Sequence, residues 1–446
     1  MDKMVLPRTQ KIFYGVGHIL NDLCANCWFS YVLIYMTKLA GLSERNAGLV
    51  LLIGQVADAL FTLIIGYSCD KTKITWYGKR KLWHGIGTTC VLISFPFVFN
   101  LCIGCSNSSA TVKLVYYSAF VIVFQFGWAA TQIAHLSLIP DITSKESQRV
   151  ELNAIRSGLT FVCGIFVYGT TWLLLGTTDG ENVDSSVSKQ FMILAFIVVS
   201  TGFVFSLIFH IGTKERRHKM DEIEKETVTK FVTFVPIGKC GLKRFSTKSF
   251  NQETVSSVKS SSSNDVDKTI AINNGKGKTW KDWLKDIRLY KTALMYMSTR
   301  LAINVFQSYF ALYLTDALHF KKEAIAYFPL IVLIAGSFTS FFVKFVTKKI
   351  GSQLTYVLGA LMIVGSSFWL FSVAKEHKKA VYGAAWLAGS GSSIILVTSL
   401  AKTAELVGTD KRSSAFVYSA MSFTDKLSTG IVIFVIQTLK PSVSAG

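Results

Sequence analysis

The chain has 446 residues, half of them hydrophobic and only 17% charged, with a mean hydropathy of +0.41. These values exclude an ordinary soluble domain and make a membrane protein the expectation. Lys and Arg number 47 against 27 Asp and Glu, a net charge of +20. Membrane proteins concentrate such an excess in their cytoplasmic loops, so no nucleic-acid partner is needed to explain it. The eight cysteines include Cys24/Cys27 and Cys102/Cys105 but lack the Cys and His spacing of a structural zinc site, so neither a metal nor another cofactor is implied.

A hydrocarbon core about 30 Å thick needs roughly 20 mainly apolar residues per helix. Runs of that kind fall at 12–37, 46–67, 82–104, 113–139, 150–175, 189–212, 291–315, 324–347, 351–374, 380–402 and 412–438. The first is too long for a cleavable signal, carries His18, Asn21 and Asp22, and has no small-residue cleavage site after it. A Lys/Arg-rich start and a Ser/Asn/Lys-rich stretch from 245 to 279 mark 213–290 as a cytoplasmic linker, expected to be largely disordered. Its end places Trp280, Trp283, Leu284 and Ile287 on one helical face, which predicts an interfacial helix lying on lipid.

The expected organisation is thus a six-span bundle over 1–212, the linker over 213–290, and a second bundle over 291–446 with five visible spans. This is the plan of the major facilitator fold, an all-α membrane architecture in which two pseudo-symmetric bundles rock around a midplane site. Only Lys440 to Gly446 follow the last span, so the second bundle is expected to be one span short, through a shortened sequence or a true eleven-span form.

Loop charge sets the expected orientation. Lys71, Lys73, Lys79, Arg80 and Lys81 lie between spans two and three, and Lys344, Lys348 and Lys349 lie at the end of span eight, whereas Asp179, Glu181 and Asp184 follow span five. The N-terminus is therefore expected in the cytoplasm. Asn107-Ser108-Ser109 reads as a glycosylation acceptor on the opposite side. Lys375, Lys378 and Lys379 after span nine run against the rule. Cys102 and Cys105, on the same side as Asn107, suit a disulfide, a redox pair or two buried thiols.

Ionisable groups inside a span are costly, so each is a functional candidate. His18, Asn21, Asp22 and Asn26 form a polar stripe on span one. Asp58 lies several turns from either loop on the Gln55 and Thr62 face of span two, which makes it the expected proton or cation site, a permanent ion pair with Arg156 or Lys426 being the alternative. Span four adds Gln132 and His135, span five Arg149, Glu151 and Arg156, and span seven Arg300, Asn304 and Gln307. A fixed guanidinium at Arg156 suits bidentate binding of a carboxylate. In span eleven Asp425 and Lys426 cannot both face lipid; Lys426 is expected in the cavity, and the partner of Asp425 is left open. Gly389-Ser390-Gly391-Ser392-Ser393 in span ten reads as close helix packing or a hinge.

Two loop segments carry a resemblance. Gly66-Tyr67-Ser68-Cys69-Asp70-Lys71-Thr72 with Trp76 to Trp83, and Leu138-Ile139-Pro140-Asp141-Ile142-Thr143 with Arg149, Leu152 and Arg156, resemble the glycoside-pentoside-hexuronide:cation symporters, the melibiose-permease group. The resemblance implies gating by Asp70, Lys79, Arg80 and Arg149, and substrate or cation sites at Asp22, Asp58, Thr62, Arg156 and Lys426. Thr62 stands where that group has a second carboxylate, which favours a proton or no coupling ion over sodium. Gln132 replaces its sugar-binding acid. Gly17 to Ala25, Phe124 to Ala129, Gln132 to Pro140 and Met421 to Lys426 are similar to an animal branch of lysosomal and melanosomal proteins needed for cysteine import, which implies cysteine as the small-molecule substrate. A zwitterion needs an acidic group for its ammonium and a basic one for its carboxylate, roles open to Asp22 and to Arg156 or Lys426.

A cation-coupled sugar symporter is the alternative within the same fold, and a non-transporting receptor or scaffold is the alternative outside it. No nucleophile, base and oxyanion motif points to an enzyme. Membrane lipid is the remaining expected partner.

Overall fold

The computed structural model describes residues 6–72, 77–105, 108–143, 145–213, 215, 280–373, 377–407 and 414–440. Asn107, the side chain of Asp70 and nearly all of the expected linker lie outside them. Span one is two helices, Arg8–Val16 and Ile19–Ile34, prolonged through Tyr35–Leu39. The following spans are Glu44–Lys71, Lys79–Val98, Ala110–Ser137, Glu146–Gly176 and Ser188–Gly212. After the short helix Trp280–Lys285 come Ile287–Leu312 with Tyr313–Ala317, then Ala324–Ile350, Ser352–Ser372, Ala380–Val407 and Ser414–Leu439. Among the described residues, 8 of these helices are long and apolar enough by themselves to cross a membrane. Span one falls outside this group because its break leaves helices of 9 and 16 residues, and spans three and seven because they carry more polar residues.

Two elements differ from expectation. Span three ends at Val98, not near 104: Pro96 sits in its last turn, Phe99 leaves the helical region at φ −110° and ψ 27°, and the chain then turns through Gly104 at φ +78°. Trp283, expected on lipid, is instead buried in the protein beside Leu289, Val407, Val417 and Met421, while Leu284 and Ile287 are exposed. The short helix is therefore a strut on the second bundle.

Small residues set how closely the spans approach. A Cβ on Gly87 of span three would lie 2.7 Å from the Gly127 carbonyl of span four, and one on Gly127 would lie 2.7 Å from the Gly87 carbonyl. The second bundle repeats this between spans nine and ten, where a Cβ on Gly391 would lie 2.8 Å from the Gly359 carbonyl. On the other side of span ten, a Cβ on Gly389 would run into the Val332 carbonyl, and Ser390 and Ser393 bond Thr339 and Ser340 at 2.9 and 2.6 Å. Gly389→Ala is expected to cost about 1–3 kcal/mol by overpacking, seen as a lower Tm in detergent. Gly365→Ala, where a Cβ meets open space, should stay within about 0.5 kcal/mol of the parent.

The bundles meet along only part of their length. Spans two and eleven touch from Gly48 beside Gln437, through Gln55 beside Gly430, to Asp58 and Thr62 beside Lys426. Spans five and eight touch at Trp172 with Tyr327 and at Gly164 with Leu333. The interface is closed at the end that bears Cys102 and Cys105, where Gln307 bonds Ser30, Lys322 bonds the Thr178 carbonyl and Lys440 pairs with Glu44 across the bundles. Cys102 and Cys105 themselves form a disulfide, their Cα atoms 5.4 Å apart.

Candidate functional site

The site begins with the break in span one at Gly17 and His18. A broken helix leaves carbonyls unpaired, and buried carbonyls need donors. His84 Nε2 donates to the Gly17 carbonyl at 2.9 Å, and His135 Nε2 donates to the Tyr14 carbonyl at 2.8 Å. With its Nε2 proton so committed, neutral His84 accepts at Nδ1 from His210 Nε2 at 3.0 Å, and His210 Nδ1 faces the Tyr77 hydroxyl at 2.6 Å. Asn21 Nδ2 donates to the Trp128 carbonyl at 3.1 Å. His135, expected to bind substrate, is thus fully buried, stacked on Tyr14, and clasps the kink. His84 and His210 escaped the sequence reading; their signal was a histidine on the polar side of spans three and six. Gln132, the other span-four candidate, is half-buried and accepts from Trp128 Nε1 at 3.1 Å.

Three ionic groups stand at mid-depth. His18 Nδ1 lies 3.0 Å from Asp22 Oδ1, and Asp22 Oδ2 accepts from the Thr160 hydroxyl at 3.0 Å. Asp58, roughly 20 Å from either end of its helix, pairs with Lys426 Nζ at 2.7 Å, and Lys426 also donates to Thr62 at 2.8 Å. Arg300 Nε meets Asp425 Oδ2 at 3.0 Å, while Asn304 Nδ2 donates to Asp425 Oδ1 at 3.3 Å and to Thr429 at 3.2 Å. Consecutive helical residues point about 100° apart. Asp425 therefore faces span seven and Lys426 faces span two, which resolves the question their adjacency raised.

The cations are not equivalent. Lys426 and Arg300 each have a carboxylate, whereas Arg156 makes no ion pair among the described residues: its Nη2 lies 3.3 Å from His18 Nε2 and its enclosed Nε has no hydrogen-bond partner. Arg156 is half-buried, with exposed Asn153 and Thr160 on the same helix. Burying a guanidinium donor without an acceptor is costly.

The two ends are tied differently. At the closed end Gln307 Nε2 of span seven donates to Ser30 at 3.0 Å and to the Tyr168 hydroxyl at 3.2 Å, a ring across spans one, five and seven in which Ser30 and Tyr168 were not anticipated. Lys322, wholly buried, donates from Nζ to the carbonyls of Thr178, Asp179 and Gly180 at 2.6, 3.1 and 2.7 Å. At the basic end Arg80 reaches Asp141 at 3.5 Å, Arg149 Nε donates to the Thr143 carbonyl at 2.9 Å, and Lys11 pairs with Glu151 at 2.6 Å. Lys79 opens span three, whose backbone N–H groups at Arg80 and Lys81 donate to Glu215 Oε2 at 3.1 and 3.3 Å. Burial holds the Glu215 carboxyl above its ordinary range, and these N–H bonds oppose the rise. A Cβ on Gly78, at φ +105°, would collide with that carboxylate.

Two helical bundles with ionic groups between them at mid-depth define a membrane transporter of the alternating-access, major facilitator type. The chain belongs to the family described as MFS/sugar transport protein, matched over residues 13–239 and 254–439, within the glycoside-pentoside-hexuronide:cation symporters. It is similar to major facilitator superfamily domain-containing protein 12 of Mus musculus, at 42% identity over 98% of this chain and 87% of that protein. The Homo sapiens protein of the same name is 41% identical over 98% of this chain and 86% of its own length. The isoprimeverose transporter of Lactiplantibacillus pentosus is 26% identical over 48% of this chain and 43% of that protein. Among solved structures, the crystal structure of a D-xylose-proton symporter superposes with a TM-score of 0.66 at 10% identity, over 96% of this chain and 89% of that one, a likeness of fold.

Proposed function

We propose that this chain imports cysteine into lysosomes or melanosomes by alternating access, with its N-terminus and basic loops in the cytoplasm. The observation that carries the reading is Arg156, a mid-depth guanidinium that makes no ion pair among the described residues, one helix away from Asp22. A zwitterionic amino acid would bring its carboxylate to Arg156 and its ammonium to Asp22, with His18 and Asn21 shaping the pocket. Cysteine as the particular amino acid rests on the resemblance of spans one, four and eleven to the animal branch. The basic end, opposite the closed one, would be the loading side.

Asp58 is the proposed proton site. A proton there would cancel its attraction for Lys426 at the seam between the bundles, linking protonation to the rocking step. Asp425, held by Arg300 and Asn304, is the second candidate. Thr62 accepts from Lys426 where a sodium site would need another carboxylate, which supports a proton as the coupling ion. Of the lysines that oppose the proposed orientation, Lys378 has local partners: it donates to the His319 carbonyl at 2.8 Å and lies over the Phe320 ring.

A sugar substrate is the second reading, favoured by the similarity to the isoprimeverose transporter. Uptake of labelled cysteine into vesicles containing the chain, with cystine and melibiose as competitors and the interior at pH 5 or 7, separates the two. Saturable uptake blocked by excess cysteine and indifferent to melibiose is expected. Competition by melibiose alone would replace the amino-acid reading with the sugar one.

A further inference from the structure

The first helix of each bundle ends in the same unit. Tyr31-x-x-x-Tyr35-x-Thr37-Lys38 closes span one and Tyr309-x-x-x-Tyr313-x-Thr315-Asp316 closes span seven. Both widen into a π-turn, Tyr35–Leu39 and Tyr313–Ala317. The hydrogen bonds repeat as well. Ala40 N donates to the Tyr35 carbonyl at 2.9 Å and Leu318 N to the Tyr313 carbonyl at 3.2 Å; Leu42 N donates to the Met36 carbonyl at 3.1 Å and Phe320 N to the Leu314 carbonyl at 2.9 Å. Thr37 and Thr315 each donate to the carbonyl four residues back, at 2.9 and 3.2 Å.

The copies differ where they meet. Equivalent positions carry Lys38 and Asp316, and these pair across the bundle interface at 2.9 Å. A duplicated unit with the same charge in both copies would repel itself at this contact; one sign change turns the repulsion into a clasp. Lys440 of span eleven stands 4.0 Å from Asp316 and 2.8 Å from Glu44 of span two, which extends the network over both bundles. A π-turn stores one extra residue in a helix and occurs most often at functional sites. The pair lies beyond the Gln307, Ser30 and Tyr168 ring, at the closed end.

We infer that the two π-turns are the moving gate at the disulfide-bearing end and that the Lys38 to Asp316 pair is its latch, broken each time the cavity opens to that side. The inference does not depend on which substrate is carried.

The test is a double-mutant cycle on the full chain, using Lys38→Gln, Asp316→Asn and both together. Electron-electron distances are measured between spin labels at Ser186→Cys and His377→Cys, exposed positions on the two bundles at that end, in a Cys90→Ser, Cys240→Ser background. Each single change should raise the population of the longer, open distance about two- to fivefold, the scale of a partly exposed ion pair. The double change should raise it no further, and Lys38→Arg should leave it closed. Unchanged distances in both single variants, or a double effect equal to the product of the single ones, would overturn the latch. Both side chains are only 35% exposed yet lie at the surface of the interface, and monodispersity on gel filtration confirms that each variant is folded before it is read.

Discussion

Lys426→Ala is expected to abolish uptake and to destabilise the chain by about 3–5 kcal/mol, because it leaves the Asp58 carboxylate buried without its cation. Asp58 is 6% exposed, and Lys426 supplies its ion pair at 2.7 Å. Asp58→Asn alone should do similar damage by stranding the ammonium. The informative variant carries both Asp58→Asn and Lys426→Gln, since replacing an entire buried pair by neutral groups is often close to neutral for stability. Its Tm in detergent should return most of the way to the parent value while uptake stays absent. Uptake that returned together with stability would reduce the pair to a structural clasp between spans two and eleven and remove Asp58 from the coupling step.

The second large effect concerns Arg156. A charged hydrogen bond to a substrate carboxylate contributes about 1.5–3 kcal/mol, so Arg156→Ala should raise the KM for cysteine roughly 10- to 100-fold. Arg156→Lys keeps the charge but loses the fork that binds both oxygens, and an intermediate KM is expected. Cysteamine, which lacks the carboxylate, supplies the control: the parent should reject it by a similar factor, and Arg156→Ala should treat it and cysteine nearly alike. Discrimination that survives in Arg156→Ala would move the carboxylate site elsewhere, with Arg300 the next guanidinium to examine, since 27% of its side chain remains exposed even when paired with Asp425.

The positions of the spans were legible from the chain because lipid imposes a length and a polarity on every helix that crosses it. The expected 46–67, 189–212 and 324–347 appear as Glu44–Lys71, Ser188–Gly212 and Ala324–Ile350. The ionisable residues at mid-depth were legible for the same reason: Asp22, Asp58, Arg156, Arg300, Asp425 and Lys426 stand out from any apolar run. Their pairing was legible only in part. A helical repeat states which residues share a face, but not which helix lies opposite, so the choice of Lys426 over Arg156 for Asp58, and the bond of Asp425 to Arg300, had to come from packing.

The same limit explains the residues that changed meaning. His135 looked like a cavity residue because it is polar and lies within a span; only the break at Gly17 leaves the Tyr14 carbonyl with a single turn bond from Gly17 N, to which His135 Nε2 adds a second. Trp283 follows an amphipathic pattern that suits lipid, but a protein groove offers an apolar face equally well, and it lies against Val407, Val417 and Met421. The membrane's demands act on each segment alone and so are written in the local sequence. Partnership between segments depends on which faces close packing brings within about 3 Å of each other. The tertiary structure therefore decided that Arg156 makes no ion pair among the described residues while Lys426 and Arg300 each do.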